Sequence, residues 1–189
     1  MDDAAQDPQN VLLVTSCFQQ IATRGWGRLS IPQAARTAGI ESDVARQRIP
    51  DRYELLRRFG SLADAHALQG ALSEGKSRDR LFDLTMRRID FFQTHRPGVI
   101  ALLNAMPFDP HAMALVGRRT LDSMAALLEA SGIEILGWRG CARVAAMTAI
   151  WTCTVRTWAE DPSPNLDATM AELDEMLRRA ERIGGWLAV

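Results

Sequence analysis

The chain has 189 residues, of which 47% are hydrophobic and 24% charged, and its formal net charge is −1. That length and composition suit a chain that buries a core, as one compact unit or as one small and one larger domain, and exclude a disordered polymer. The near-neutral balance excludes nucleic-acid binding through overall charge, so any such surface has to be local.

Apolar residues recur at helical spacing almost throughout, β-branched alternation is missing, and Gly and Pro fall between the segments. The expected class is all-α, without internal repeats or low-complexity tracts. A first helix is predicted from about Pro8 to Thr23, with Val11, Val14, Phe18 and Ile21 on one face. Pro8 suits a first helical turn, and Gly25 and Gly27 in "RGWGRL" suit its end. Ser30 reads as the N-cap of a short second helix ending at Gly39, with Gln33 completing a capping box. A third short helix fits Ser42 to Ile49. Asp51 caps a longer fourth helix with Tyr53, Leu56, Phe59 and Leu62 at helical spacing.

Past "SEGKS" the amphipathic segments lengthen. One runs from about Arg78 to Thr94, and "HRPG" breaks it. A short helix near Val99 to Ala105 ends before "PFDP", and another spans about Pro110 to Ala130. After the connector "SGIEILGWRG" a strongly apolar helix covers roughly Arg139 to Glu160. The last helix, capped by Asn165 or Ser163, carries Leu166, Met170, Leu173, Leu177 and Ala180 as a stripe. Asp174 with Arg178, and Glu175 with Arg179, form i,i+4 pairs on its wet side.

Enzyme chemistry finds little support. His66, His95 and His111 are too scattered for a metal-binding face, and Asp83, Asp90 and Asp109 stand alone as carboxylates. No phosphate-binding glycine loop or nucleophile elbow occurs, so neither a catalytic residue, a metal nor a cofactor is expected. Cys17, Cys141 and Cys153 read as small buried hydrophobes in a reducing compartment. The opening "MDDAAQDPQN" is acidic and polar, unlike a signal peptide, and no apolar run reaches the ~18 residues of a membrane span. A cytoplasmic protein without stable membrane insertion is the expectation.

Between Arg24 and Gly60 there are eight arginines against four acids, Glu41, Asp43, Asp51 and Glu54. This local excess coincides with a helix, a short helix, a tight turn at Gly39 and a second short helix. That succession is the plan of a helix-turn-helix, whose second short helix enters the major groove of double-stranded DNA. Ile31, Ala34, Ala35, Ala38, Ile40 and Val44 can lock the two short helices together. Arg46 and Arg48 are expected to face the groove, with Ser42 beside them, and Arg28, Ser30 and Arg52 to hold phosphates.

The stretch "CFQQIATRGWGRLSIPQAARTAGIESDVARQRIPDRYELL" resembles the N-terminal domain of the TetR-type repressors. The resemblance implies a recognition helix from Glu41 to Ile49, with Asp43, Val44, Arg46 and Arg48 at the DNA-facing positions. Asp43 stands where the family usually has Gly, Arg46 where it has Tyr, and Ile49 where it has Phe. It also implies a helix-turn-helix domain over 1–60 and a helical effector-binding and dimerisation domain over 61–189.

"RDRLFDLTMRRIDFFQTHRPGV" and "WAEDPSPNLDATMAELDEMLRRAER" are similar to the C-terminal domains of TetR-type proteins of alphaproteobacteria. They are similar also to a lipid-binding accessory protein of ubiquinone biosynthesis that shares the fold without acting as a repressor. Two functions therefore stay open. One is a homodimeric regulator released from operator DNA by a hydrophobic small molecule. The other is a lipid or isoprenoid binder with a vestigial helix-turn-helix, for which Gly184, Gly185, Trp186 and Leu187 leave only a meagre terminal anchor.

For the effector, Met86, Phe92, Met106, Met113, Met124, Met147 and Trp151 supply adaptable apolar lining, with Arg87, Arg88 and His95 as polar partners. A filled core explains the same residues. For the dimer, Trp151, Val155, Trp158, Leu166, Met170, Leu173 and Leu177 are the expected interface, because one core needs only one face of the helix that carries Trp151.

Overall fold

The computed structural model describes residues 7–70, 72 and 74–184. The described residues are helical without strands: α1 Pro8–Arg24, α2 Ile31–Thr37, α3 Ser42–Arg48, α4 Arg52–Leu68, α5 Ser77–Thr94, α6 Arg96–Ala105, α7 Pro110–Ala130, α8 Gly137–Glu160 and α9 Asp167–Gly184. Short 3-10 turns cover Trp26–Arg28 and Met106–Phe108. The all-α expectation holds. Gly185, Trp186 and Leu187, on which the terminal-anchor argument turned, lie outside the described residues.

Two compact units emerge. The first comprises the described residues up to Ala65 together with Phe92–Arg119, and the second comprises His66–Phe91 with the described residues from Thr120 onward. This grouping differs from the single division expected at 60/61. The reason is that α6 packs on α1, which ties Phe92–Arg119 to the N-terminal helices.

In the first unit, Asp7 caps α1 by accepting the Gln9 amide at 2.9 Å, and Pro8 occupies the first turn. The α1 face of Leu13, Val14, Cys17, Phe18 and Ile21 is fully buried. Phe18 stacks on Phe59 at 4.0 Å between ring centroids, and Phe92 and His95 close the cluster at 5.3 and 5.7 Å from Phe59. Such ring pairs add about 0.5–1.5 kcal/mol to the burial of the rings themselves.

Gly98 sits where α6 crosses α1. A Cβ there would lie 2.4 Å from the Phe18 carbonyl oxygen, so only glycine lets the two backbones approach this closely. Helix α6 begins at Arg96, earlier than its expected start near Val99, because Pro97 fits a first turn and does not end a helix there. Burial also pushes the Cys17 thiol up to about 12, which keeps it protonated and unreactive. Of the three cysteines only Cys17 is buried; Cys153 is half-buried and Cys141 exposed, which corrects the reading of all three as core.

In the second unit α8 packs against α9, and Met147, Trp158, Leu173 and Leu177 are buried. The α9 start is held by a carboxylate. Buried Asp161 accepts from the Ser163 amide and hydroxyl at 2.9 and 2.6 Å, and from the Thr169 amide and hydroxyl at 2.9 and 2.8 Å. Ser163 in turn accepts the Asp167 amide at 2.8 Å, so of the two expected caps it is Ser163 that acts. This network brackets Leu166, a buried residue at φ 56°, a region that costs a non-glycine residue about 1–3 kcal/mol. Both expected i,i+4 pairs of α9 form, and Asp174 also accepts from Arg78 of α5.

Candidate nucleic-acid interface

The turn between α2 and α3 is built by the backbone. Ile40 donates to the Ala35 carbonyl at 2.9 Å and Gly39 to the Arg36 carbonyl at 3.3 Å, with Gly39 at φ 69°. This paired closure ends α2, and the left-handed residue redirects the chain into α3. Ile31, Ala34, Ala35 and Ala45 are buried between the helices, and Ala38, Ile40 and Val44 are half-buried. The Ser16 hydroxyl of α1 donates to the Ala34 carbonyl at 2.8 Å, fixing α2 from below.

The capping box expected at Ser30 and Gln33 does not form. The Ser30 side chain makes no cap bond; its amide instead donates to the Gln20 side-chain carbonyl of α1, and Gln33 accepts from Arg24. Side chains of α1 outcompete the local box because they are already fixed by the α1–α2 packing. At α4 the expected cap does form, with Asp51 accepting the Tyr53 and Glu54 amides at 2.8 Å each.

Of the four arginines expected to meet DNA, Arg46, Arg48 and Arg52 each pair with a carboxylate. Arg46 pairs with Asp43 one turn earlier on α3, both strongly exposed at 63% and 81% of their side chains. Arg48 turns back toward α1, pairing with Asp7 and donating to Asn10 and Gln9 at 3.0 Å each. Arg52 lies 3.2 Å from Asp109, donates to the Tyr53 hydroxyl, and sits over the Trp26 ring at 5.3 Å. Arg28 is exposed, whereas Ser30, Ser42 and Val44 are half-buried.

Asp109 is the hub of that last group. It accepts the Trp26 indole N–H at 3.0 Å and the Ala112 amide at 3.0 Å. The indole bond foremost, then the Ala112 amide and the Arg52 charge, holds its carboxyl below the usual range. His111 stacks edge-on against Tyr53 at 4.3 Å. The start of α4, the Trp26 turn and the start of α7 thus share one polar cluster. Gln47, exposed beside Arg46 and one turn after Asp43, completes the outward face of α3, and the i,i+4 spacing from Asp43 alone places it there.

No protein-family model and no curated protein matches the chain. Solved structures do. A TetR transcriptional regulator from Nitrosomonas europaea superposes with a TM-score of 0.78 at 20% identity, over 94% of this chain and 100% of the other. The fold is that of the TetR-type regulators. A putative TetR-family regulator from Rhodococcus sp. gives 0.64 at 19% identity, over 89% of this chain and 96% of that one. The TetR-family regulator PfmR from Thermus thermophilus gives 0.51 at 16%, over 88% and 97%.

Within this TetR-type fold the expected effector residues divide between the units. Phe92, Met106 and Met113 belong to the first, with Met113 exposed. Met86, Met124, Met147 and Trp151 belong to the second, where Met124 and Met147 are fully buried. There the buried Arg88 guanidinium lies over the Trp151 ring at 4.5 Å and donates to the Ser123 hydroxyl at 3.1 Å. Arg87 pairs with Asp83, and His95 belongs to the aromatic cluster of the first unit, where burial lowers its pKa.

The residues of the expected dimer stripe are mostly covered by their own chain. Trp151, Val155, Trp158, Leu166, Leu173 and Leu177 are buried within one chain, and Met170 is half-buried. Side chains already covered by their own chain have little left for a second copy to cover. The exposed line along α8 is instead Trp138, Ala142, Ala145, Ala149 and Thr152, spaced by four and three residues in alternation. Among the described residues no single helix is long and apolar enough to cross a membrane.

Proposed function

We propose that this chain is a transcriptional regulator of the TetR family that binds operator DNA as a homodimer and is released by an amphipathic small molecule. The observation that carries the reading is the α2–α3 unit, with its left-handed turn at Gly39 and a seven-residue second helix whose outward face is wholly polar. A surface helix without a ligand needs no such turn-and-brace construction, and a groove-reading helix does.

The exposed α8 line supports the homodimer. Small side chains at alternating four- and three-residue spacing let two helices approach closely, and Trp138, 77% exposed, gives the line an apolar end. Two α3 helices about 34 Å apart would then meet successive turns of one duplex face. The buried Met124, Met147 and Trp151, with the Arg88 guanidinium over the Trp151 ring, support an effector with an apolar body and an anionic end. Such a ligand shifts the equilibrium between DNA-binding and released forms only by its differential affinity for the two.

A lipid-binding function with a silent helix-turn-helix is the second reading. It is favoured by one observation: Arg46, Arg48 and Arg52 are each engaged by a carboxylate. The deciding experiment is gel retardation of genomic fragments by full-length protein at low salt, alongside mass spectrometry of organic extracts of the purified protein. Retardation of discrete fragments, relieved by an amphipathic acid, supports the regulator. A co-purified lipid with no fragment retained sinks it.

A further inference from the structure

Helix α3 is short enough for every side chain to be assigned a direction. Ala45, and Ile49 just beyond the helix, are fully buried and Val44 half-buried. Arg48 is drawn to the start of α1 by Asp7, Asn10 and Gln9. Ser42, at the first position, is half-buried, and the exposed side chains of the helix are Asp43, Arg46 and Gln47. Their i, i+3 and i+4 spacing puts them on one face.

Their hydrogen-bonding capacities are complementary to different bases. A carboxylate only accepts, a guanidinium only donates, and a carboxamide does both. In the major groove cytosine offers its N4 amino donor, guanine its O6 and N7 acceptors, and adenine one donor beside one acceptor. Arg46 donates to Asp43 through one terminal nitrogen, and with 63% of its side chain exposed its other N–H groups remain open to a ligand.

The Asp43 charge has a second effect. A carboxylate on the groove-facing side repels phosphates, and its second oxygen goes unmatched over any base lacking an amino donor. Cytosine and adenine both offer an amino donor there, but adenine sets the N7 lone pair beside it, which repels a carboxylate; cytosine is therefore the base least penalised, and specificity built by penalising the wrong partners takes this form.

We propose that Asp43, Arg46 and Gln47 are the base-reading set of this chain, selecting an operator half-site that presents cytosine, guanine and adenine to α3, while Arg48 reads no base and braces α3 against α1. The assignment rests on the DNA-binding function proposed above and names the sequence class of its target.

The test is selection from a random duplex pool by full-length protein, followed by sequencing, for the wild type and for Asp43→Asn, Arg46→Ala, Gln47→Ala and Arg48→Ala. The first three substitutions fall on exposed side chains, and circular dichroism melts check that each variant is folded. The wild type should enrich an inverted repeat whose half-sites contain a G·C-rich core and an adjacent adenine. Asp43→Asn should lose the cytosine preference and hold random duplex more tightly. Arg46→Ala should lose the guanine preference, with affinity for the selected site falling roughly ten- to a hundredfold. Gln47→Ala should lose the adenine, and Arg48→Ala should select the wild-type motif. If the wild type enriches a motif that the first three variants also enrich, the reading assignment is overturned while DNA binding stands. If the wild type enriches nothing and retards no duplex, the DNA-binding function itself fails.

Discussion

Asp109 in the first unit and Asp161 in the second are both carboxylates held below their usual range by several hydrogen bonds, yet they sit in opposite surroundings. Asp109 lies beside a partly exposed arginine, and a competing anion can take that arginine from it. Asp161 is buried among the amides and hydroxyls that begin α9, and nothing from solvent can replace it. The same contrast runs through the two units. The first keeps an aromatic core and displays its charges at the rim, where Asp7, Asp43 and Asp109 hold arginines that a ligand could recruit. The second carries Arg88 and Asp161 inside, where they fix geometry. A charge at the rim is available for exchange, and a charge in the core is part of the frame.

The comparison breaks most visibly at the aromatic core. Phe59→Ala removes the ring stacked on Phe18 and should cost about 3–5 kcal/mol in urea denaturation, with loss of the near-ultraviolet dichroism of the cluster. Gly98→Ala comes next. Its methyl group would meet the Phe18 carbonyl, so α6 must back away from α1, at about 1–3 kcal/mol in the same measurement. An unchanged midpoint for either variant would mean that the core tolerates what its geometry forbids.

The buried carboxylate is probed by acid. The hydrogen bonds from Ser163 and then Thr169 depress the Asp161 pKa in the folded state. Its contribution is therefore fully present above its ordinary value of 3.8 and is lost as pH falls below that value. Asp161→Asn should be less stable at neutral pH and should show a flatter loss of stability between pH 4 and 2 than the wild type. Parallel acid profiles would remove Asp161 from the α9 frame.

The smallest effect on stability, and the sharpest on the comparison, belongs to Asp7→Asn, which keeps the side-chain oxygen that caps α1 and removes only the charge. With the cap kept, losing the charge of a partly exposed ion pair should leave the melting temperature almost unchanged, because such pairs contribute little. It should nonetheless release Arg48 and raise the affinity for random duplex at low salt, read by fluorescence anisotropy. A large drop in melting temperature with no gain in duplex binding would show Arg48 to be a structural strut alone.

Local rules made much of this legible in the sequence. The Asp51 cap, the Pro8 start, the Gly39 turn and the α9 ion pairs all depend on residues within four positions of one another, where geometry is set by the helix itself. Long-range choices were not legible. The Ser30 amide is taken by Gln20, Arg48 reaches Asp7, and Trp26 finds Asp109 across 83 positions. The Ser30 amide had a local partner in Gln33, while nothing in the neighbouring sequence marks Gln20, Asp7 or Asp109 as the partner that packing supplies. The interface stripe meets a related difficulty. Periodicity marks the apolar face of a helix but not whether its own chain or a second one covers that face.

The Gly98–Phe18 crossing has a mechanical consequence. Side chains at a helix crossing act as springs, since rotamers adjust and absorb small shears. Here backbone lies directly on backbone, with no such cushion between α6 and α1. A shift of α6 along its axis therefore reaches α1 undamped, and α1 carries both the Ser16 bond under α2 and the Asp7 hold on α3. The crossing is a stiff joint, and stiffness there lets a displacement far smaller than a side chain reorient the helix that carries Asp43 and Arg46.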